Sequence, residues 1–89
     1  MQIIIDNTYI KDLRQLPHAI QVQTALALER VAEARTFADI PHLKALKGVR
    51  HYFRIRVGNY RIGLYWNGVA FYVQRVGIRG SFYNTYPPN

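Results

Sequence analysis

The sequence predicts an α+β domain, two helices laid over one face of an antiparallel sheet, on three observations. Two tight-turn dipeptides, Gly58-Asn59 and Asn67-Gly68, punctuate the stretch from Tyr52 to Val76, each between strand-like runs of β-branched and aromatic residues. Between Pro17 and Arg35, Ile20, Thr24, Ala27, Leu28 and Val31 recur at helical spacing. A β-branched run, Gln2-Ile3-Ile4-Ile5, stands near the start.

Taken in order, the first strand ends at Asp6-Asn7-Thr8, whose side chains suit a helix N-cap. A short helix from about Thr8 to Leu16 places Tyr9 or Ile10, Leu13 and Leu16 on one side. Pro17 suits the first position of a second helix, which runs to about Arg35. Residues 36 to 51 carry Pro41 and Gly48 and no sustained period. They read mostly as loop, with a helical turn near Leu43 and with Leu43 and Leu46 docked on the core. Three antiparallel strands follow and end near Val76 or Gly77. In the tail, Ser81 to Asn84 form one short turn. The expected order is β-α-α-β-β-β in a single pair of layers, one domain over residues 1–89.

Two-residue loops set register, so partners across each turn can be counted. A type II′ turn at Gly58-Asn59 sets Val57 opposite Tyr60, Arg56 opposite Arg61 and Arg54 opposite Gly63. A type I′ turn at Asn67-Gly68 sets Trp66 opposite Val69, Tyr65 opposite Ala70 and Leu64 opposite Phe71. Alternation then gathers Phe53, Ile55, Val57, Ile62, Leu64, Phe71 and Val73 on one face. Arg54, Arg56, Arg61, Gly63, Tyr72 and Gln74 share the other. Like charges directly opposite one another destabilise a sheet. Arg56 against Arg61, with Arg54 beside them, therefore reads as a face that holds an anion, a phosphate in the first instance.

Composition narrows the function. A chain of 89 residues is one domain, burying roughly 60% of its unfolded surface. A hydrophobic share of 49% argues for a compact core rather than disorder. Cysteine is absent, which excludes disulfides and thiolate zinc sites and suits a reducing cytoplasm. No apolar run approaches the roughly 18 residues of a membrane span, and Met1 to Asp6 lacks the pattern of a signal peptide. A cytoplasmic protein without a membrane partner is expected.

Twelve Lys and Arg against five acids give a net charge of +7. All five acids precede Ile40, whereas nine of the twelve cations lie at Arg35 or between Lys44 and Arg79. A basic half of this kind predicts a polyanion such as nucleic acid, or an acidic protein segment that shields it. His18 and His42 stand apart without suitably spaced acids and do not make a metal site. Trp66, at a turn, reads as the edge of the core or a partner contact.

Four pieces in sequence carry a family resemblance: Leu46-Lys47-Gly48, the strand Tyr52 to Arg56, Gly58 to Ile62, and Val76-Gly77-Ile78-Arg79 with Tyr83 four residues on. Spread over nearly the whole chain, they resemble the RelE/ParE toxin superfamily, the RelE-like messenger-RNA interferases more than the ParE side. The resemblance implies a ribosome-dependent endoribonuclease that cleaves message in the ribosomal A site with basic residues and a tyrosine, no metal and no cofactor. It also implies a cognate antitoxin, for which an acidic segment suits the charge. Carried over by motif, Arg54 and Arg56 occupy the paired basic positions, Arg61 the arginine after the first turn, Arg79 the late arginine and Tyr83 the C-terminal tyrosine.

In such a reaction the 2′-hydroxyl attacks the adjacent phosphorus, leaving a 2′,3′-cyclic phosphate and a 5′-hydroxyl. Guanidinium forks suit the phosphate oxygens, because they donate in pairs and stay charged. Arg56 and Arg61 are expected to clamp the phosphate, Arg79 to sit by the leaving oxygen, and Tyr83 to stack on a base or orient the hydroxyl. Lys44, Lys47 and Arg50 suit ribosomal RNA phosphates beside the groove, and Tyr72 and Gln74 suit base contact. Where family members often carry lysine, this chain has Arg54 and Arg56, which stay protonated below about pH 12. The general base is thus open among His51, Tyr83 and Tyr86. The alternative reading is a ParE-like inhibitor of DNA gyrase without nuclease activity.

Overall fold

The computed structural model describes residues 1–88. β1 (Gln2–Ile5) leads into α1 (Asn7–Arg14) and α2 (His18–Glu33). A 3-10 turn at Phe37–Asp39 then precedes β2 (Leu43–Ala45), β3 (Tyr52–Val57), β4 (Tyr60–Trp66), β5 (Ala70–Ile78) and α3 (Arg79–Thr85). The strands form one sheet in the order β1-β5-β4-β3-β2. The two helices carry the chain from the β1 edge to the β2 edge. The antiparallel meander then walks back until β5 lies parallel to β1, with Ile3 beside Phe71.

The helix ends explain their own boundaries. The Asp6 carbonyl accepts the Tyr9 and Ile10 amides at 3.1 and 3.3 Å, while its side chain makes no cap bond. Pro17 stands one position earlier than expected. It is the N-cap of α2, its carbonyl accepting from Ile20 and Gln21 at 3.0 and 3.1 Å. At the far end the Met1 ammonium donates to the Val31, Ala32 and Ala34 carbonyls at 3.1, 2.7 and 3.0 Å. A cation there satisfies the orphan carbonyls and complements the helix dipole.

The front face of the sheet is the one read from alternation. Ile55, Ile62, Leu64, Phe71 and Val73 are buried there under Tyr9 of α1 and Val31 of α2, with Phe53 and Val57 packed around them. Burial of each such side chain contributes about 1.5–3 kcal/mol. Trp66 belongs to this core edge, its ring 5.2 Å from Phe37 and 4.9 Å from Phe71. Asp12 pins α1 to the sheet: its carboxylate takes Arg75 Nε at 2.7 Å and the Val76 amide at 3.1 Å.

Four expectations need correction. First, residues 36 to 51 contain a strand, β2, which pairs Leu43 with Ile55 and Ala45 with Phe53. At three residues it is too short to display alternation. Leu43 nonetheless packs against the core, as expected, while Leu46 is half-buried in the loop beyond β2. The helical turn lies at Phe37–Asp39 instead, closed by a capping box between Thr36 and Asp39.

Second, the β4–β5 hairpin is two residues out of the expected register: Trp66 pairs with Phe71, Tyr65 with Tyr72 and Leu64 with Val73. The cause is Asn67. Its Oδ1 accepts the Val69 and Ala70 amides, both at 2.8 Å. That side chain makes an Asx turn, so Gly68, at φ +100°, becomes the first central residue of the loop. A slip of two preserves the faces. A bulge opposite Gly63 and Leu64 then inserts Gln74, after which Val76 takes the inward position against Ile62.

Third, β5 continues to Ile78, and the tail forms α3, Arg79–Thr85, in place of one short turn. Fourth, the molecule has a third layer. α3 packs on the back of the sheet and buries Phe82, with Tyr86 just beyond it. Gly63 makes room: a Cβ there would lie 2.7 Å from the Tyr86 ring.

Candidate functional site

The first hairpin keeps its expected register, so Arg56 lies opposite Arg61, Arg54 opposite Gly63, and Lys44 of β2 opposite Arg54. Gly58 supplies the positive φ, +56°, that a II′ loop needs at its first position. The three guanidinium groups nevertheless do not share one open surface. Opposed cations repel: Arg61 turns to carbonyls of its own loop, Arg54 to a carbonyl and Arg56 to a ring nitrogen of His42.

Arg61 folds back on the loop. Its Nη1 donates to the Gly58 and Tyr60 carbonyls, both at 2.9 Å, and the residue is 8% exposed. It braces the hairpin more than it presents a clamp. Arg54 and Arg56 turn the other way, to the β2 edge. Arg54 Nη1 donates to the His42 carbonyl at 2.7 Å, and Arg56 Nη2 lies 3.2 Å from His42 Nδ1. His42 holds a left-handed backbone, φ 63°, that disfavours any residue with a Cβ. His42 and exposed Arg56 line a cleft of about 390 Å³ between α2 and the end of β3, with Leu26 and Arg30 across it.

The late residues come to the same hairpin. The Arg79 amide donates to the Asn59 carbonyl at 2.8 Å, which seats the start of α3 beside the first loop. Tyr83 follows one turn later on the same helical face and is 47% exposed, its ring 5.0 Å from that of Phe82. Arg56, Arg61 and Arg79 are thus gathered around Gly58-Asn59 by backbone geometry. Lys44, Lys47 and Arg50 are exposed along β2 and the loop after it. That run extends the positive surface from the Arg54 side.

The other end of the back face is aromatic. Tyr52 and Tyr65 lie 4.9 Å apart, Tyr65 and Tyr72 6.5 Å, and Tyr52 and Tyr86 5.8 Å. The buried Tyr86 hydroxyl donates to Gln74 Oε1 at 2.8 Å. Burial pushes the Tyr86 phenol well above its usual range, with Tyr52 and Asp6 adding to the rise. Gln74 is therefore held against the tail, and Tyr72 is half-buried in the tyrosine row. Tyr86 is locked in packing. His51 is exposed at this end, edge-on to Tyr65 at 6.5 Å, away from the arginine contacts.

Two site features escaped the sequence reading. His42 joins Arg54 and Arg56 only through the pairing of β2 with β3, which no periodicity announces. Gly63 did carry a signal, since a glycine in a central strand often marks a close approach by another group.

No protein-family model matches the sequence. It is 36% identical over 88 residues to Toxin RelE3 of Methanocaldococcus jannaschii, covering 98% of this chain and all of that one. Among solved structures, the RelB–RelE antitoxin–toxin complex from Methanococcus jannaschii aligns with a TM-score of 0.80 at 34% identity, over 94% of this chain and 99% of that one. The isolated RelE toxin of E. coli aligns at 0.66 over 86% of this chain and 82% of that one. Its 22% identity supports likeness of fold alone.

Proposed function

The chain belongs to the RelE family of toxins, and from that premise we propose that it is a ribosome-dependent, metal-free endoribonuclease that cuts messenger RNA in the ribosomal A site and so stops translation. Its control is a cognate antitoxin, as in the RelB–RelE complex it resembles. A net charge of +7 suits an acidic antitoxin segment laid over the basic surface. Its place of action is the cytoplasm, with the translating ribosomes. Among the described residues, no helix is long and apolar enough to cross a membrane.

One observation carries the reading: arginines from two different elements, Arg56 on β3 and Arg79 on α3, stand exposed on either side of one hairpin loop, with exposed Tyr83 one helical turn after Arg79. RNA cleavage through the 2′-hydroxyl needs alignment in line, stabilisation of the added negative charge, and two proton transfers. Arg54 and Arg56 supply charge and paired donors for the non-bridging oxygens. Arg79 reaches the leaving oxygen, and Tyr83 stacks on a base or orients the hydroxyl. Arg61 acts from beneath by holding the loop that positions Arg56 and Arg79. Lys44, Lys47 and Arg50 grip ribosomal RNA phosphates, with Tyr72 at the margin of the bases.

The test is to express the chain in growing cells and map new 5′ ends on messages. Cuts within ribosome-bound codons are the expected result. Intact messages together with gyrase trapped on DNA would overturn the reading in favour of gyrase inhibition.

A further inference from the structure

We infer that His42 is the general base of this cleavage, accepting the 2′-hydroxyl proton on Nδ1 when the scissile phosphate draws Arg56 onto its own oxygens. The inference deepens the functional reading above and rests on it. That reading leaves a gap: guanidinium groups stabilise charge but do not accept protons near neutral pH, whereas an imidazole does.

Three features of the structure converge on His42. Both arginines of the strand touch it, one at its carbonyl, at 2.7 Å, and one at its ring, at 3.2 Å. Because Arg56 is always a donor, the ring nitrogen it meets carries a lone pair, and the proton of the neutral ring sits on Nε2. That lone pair is the base, covered at rest by Arg56 and uncovered when Arg56 moves to a phosphate.

The second feature is the backbone. His42 keeps φ at 63°, as the rejected His51 does at 70°, a conformation that persists only where its surroundings hold it; what distinguishes His42 is the nature of that hold. Here the hold comes from the same arginines, the Arg56 amide also reaching the His42 carbonyl at 3.4 Å. The third feature is access, since His42 is exposed at the mouth of the cleft between α2 and β3. The charged groups around it are Arg54 and Arg56 of β3, Arg30 of α2 across the cleft, and Lys44 two residues along. Of the three candidates from sequence, His51 and Tyr86 lie at the tyrosine end, Tyr86 buried, and exposed Tyr83 is a phenol, a group whose ordinary pKa of about 10 lies well above that of an imidazole.

The 2′-hydroxyl proton passes to His42 Nδ1, and the freed electron pair forms the new bond to phosphorus. The bond from phosphorus to the 5′-oxygen breaks with its pair on that oxygen, which takes a proton from water. The hydroxide left behind recovers the proton from His42. The products are a 2′,3′-cyclic phosphate and a 5′-hydroxyl.

The experiment measures single-turnover cleavage of message on programmed ribosomes across the pH range in which imidazole titrates, for the wild-type chain, His42→Gln and His42→Gly. Glutamine keeps an acceptor for Arg56 but takes no proton; glycine relaxes the left-handed backbone. Both variants are expected to lose about 10²–10⁴-fold in rate and the fall in rate toward acid pH, with ribosome affinity unchanged. His42→Gly is expected to melt no lower than wild type. Wild-type rate and pH profile in either variant would overturn the inference, as would a slower rate that keeps the wild-type profile. If the wild-type chain itself leaves message intact, the functional reading falls, and this inference with it.

Discussion

At the loop end of the back face, Arg56 and Arg79 are exposed to solvent; at the other end, Tyr86 lies buried on Gly63 with its hydroxyl tied to Gln74. Both ends are built on the same strands, yet they divide the work. The charged end has little to lose in stability when a side chain is cut back, because its groups are already solvated. The aromatic end carries the packing that fixes α3, and through α3 the position of Arg79 and Tyr83. Activity and stability should therefore respond to different substitutions on one sheet face.

The largest effect falls at the charged end. Arg54→Ala with Arg56→Ala should abolish growth arrest on expression while the chain still folds; arrest of normal strength would detach these arginines from function. Next comes Gly63→Ala, whose Cβ would meet the Tyr86 ring at 2.7 Å. Overpacking of this kind destabilises by about 1–3 kcal/mol, which for a domain this small lowers Tm by roughly 4–8 °C per kcal/mol. Calorimetry reads it directly. An unchanged Tm would mean that the seat of Tyr86 is not where α3 is held.

Arg61→Ala sharpens the comparison because Arg61 lies between the two regimes. As an open clamp it would lose activity alone. Buried on the Gly58 and Tyr60 carbonyls, it should lose both activity and about 1–2 kcal/mol of stability, the scale of hydrogen bonds to a charged group with some loss of packing. Chemical denaturation alongside message cleavage separates the cases.

The smallest effect is alkaline. A phenol pushed up by burial favours the folded state while it stays neutral, so this contribution is full below the ordinary tyrosine pKa of about 10 and falls away as pH rises beyond it. Tyr9, also pushed up by burial, adds to the same loss. Tyr86→Phe should cost about 0.5–1.5 kcal/mol near neutral pH through the Gln74 bond and flatten the alkaline decline. A decline as steep as wild type in that variant would place the cause elsewhere.

These contrasts also mark what the sequence made legible. Gly58-Asn59 announced the first hairpin correctly, because a glycine that alone accepts positive φ leaves one register open. Asn67-Gly68 announced a turn but hid its phase, since the Asn67 side chain competes with its own backbone for the turn amides. The front face survived that slip because two residues make one full alternation. The Gln74 bulge left no trace in the pattern, nor did β2, and with β2 went the tie between His42 and the arginines. Motif placed Arg61 in the site; only packing distinguishes a brace from a clamp.

Cleavage of message on programmed ribosomes by Arg56→Ala, with Tm measured on the same sample, tests the central claim most directly. The account predicts a rate lower by about 10²–10³-fold, the loss typical of removing one donor to a developing negative charge, at an unchanged Tm. A wild-type rate from a folded Arg56→Ala chain would contradict it.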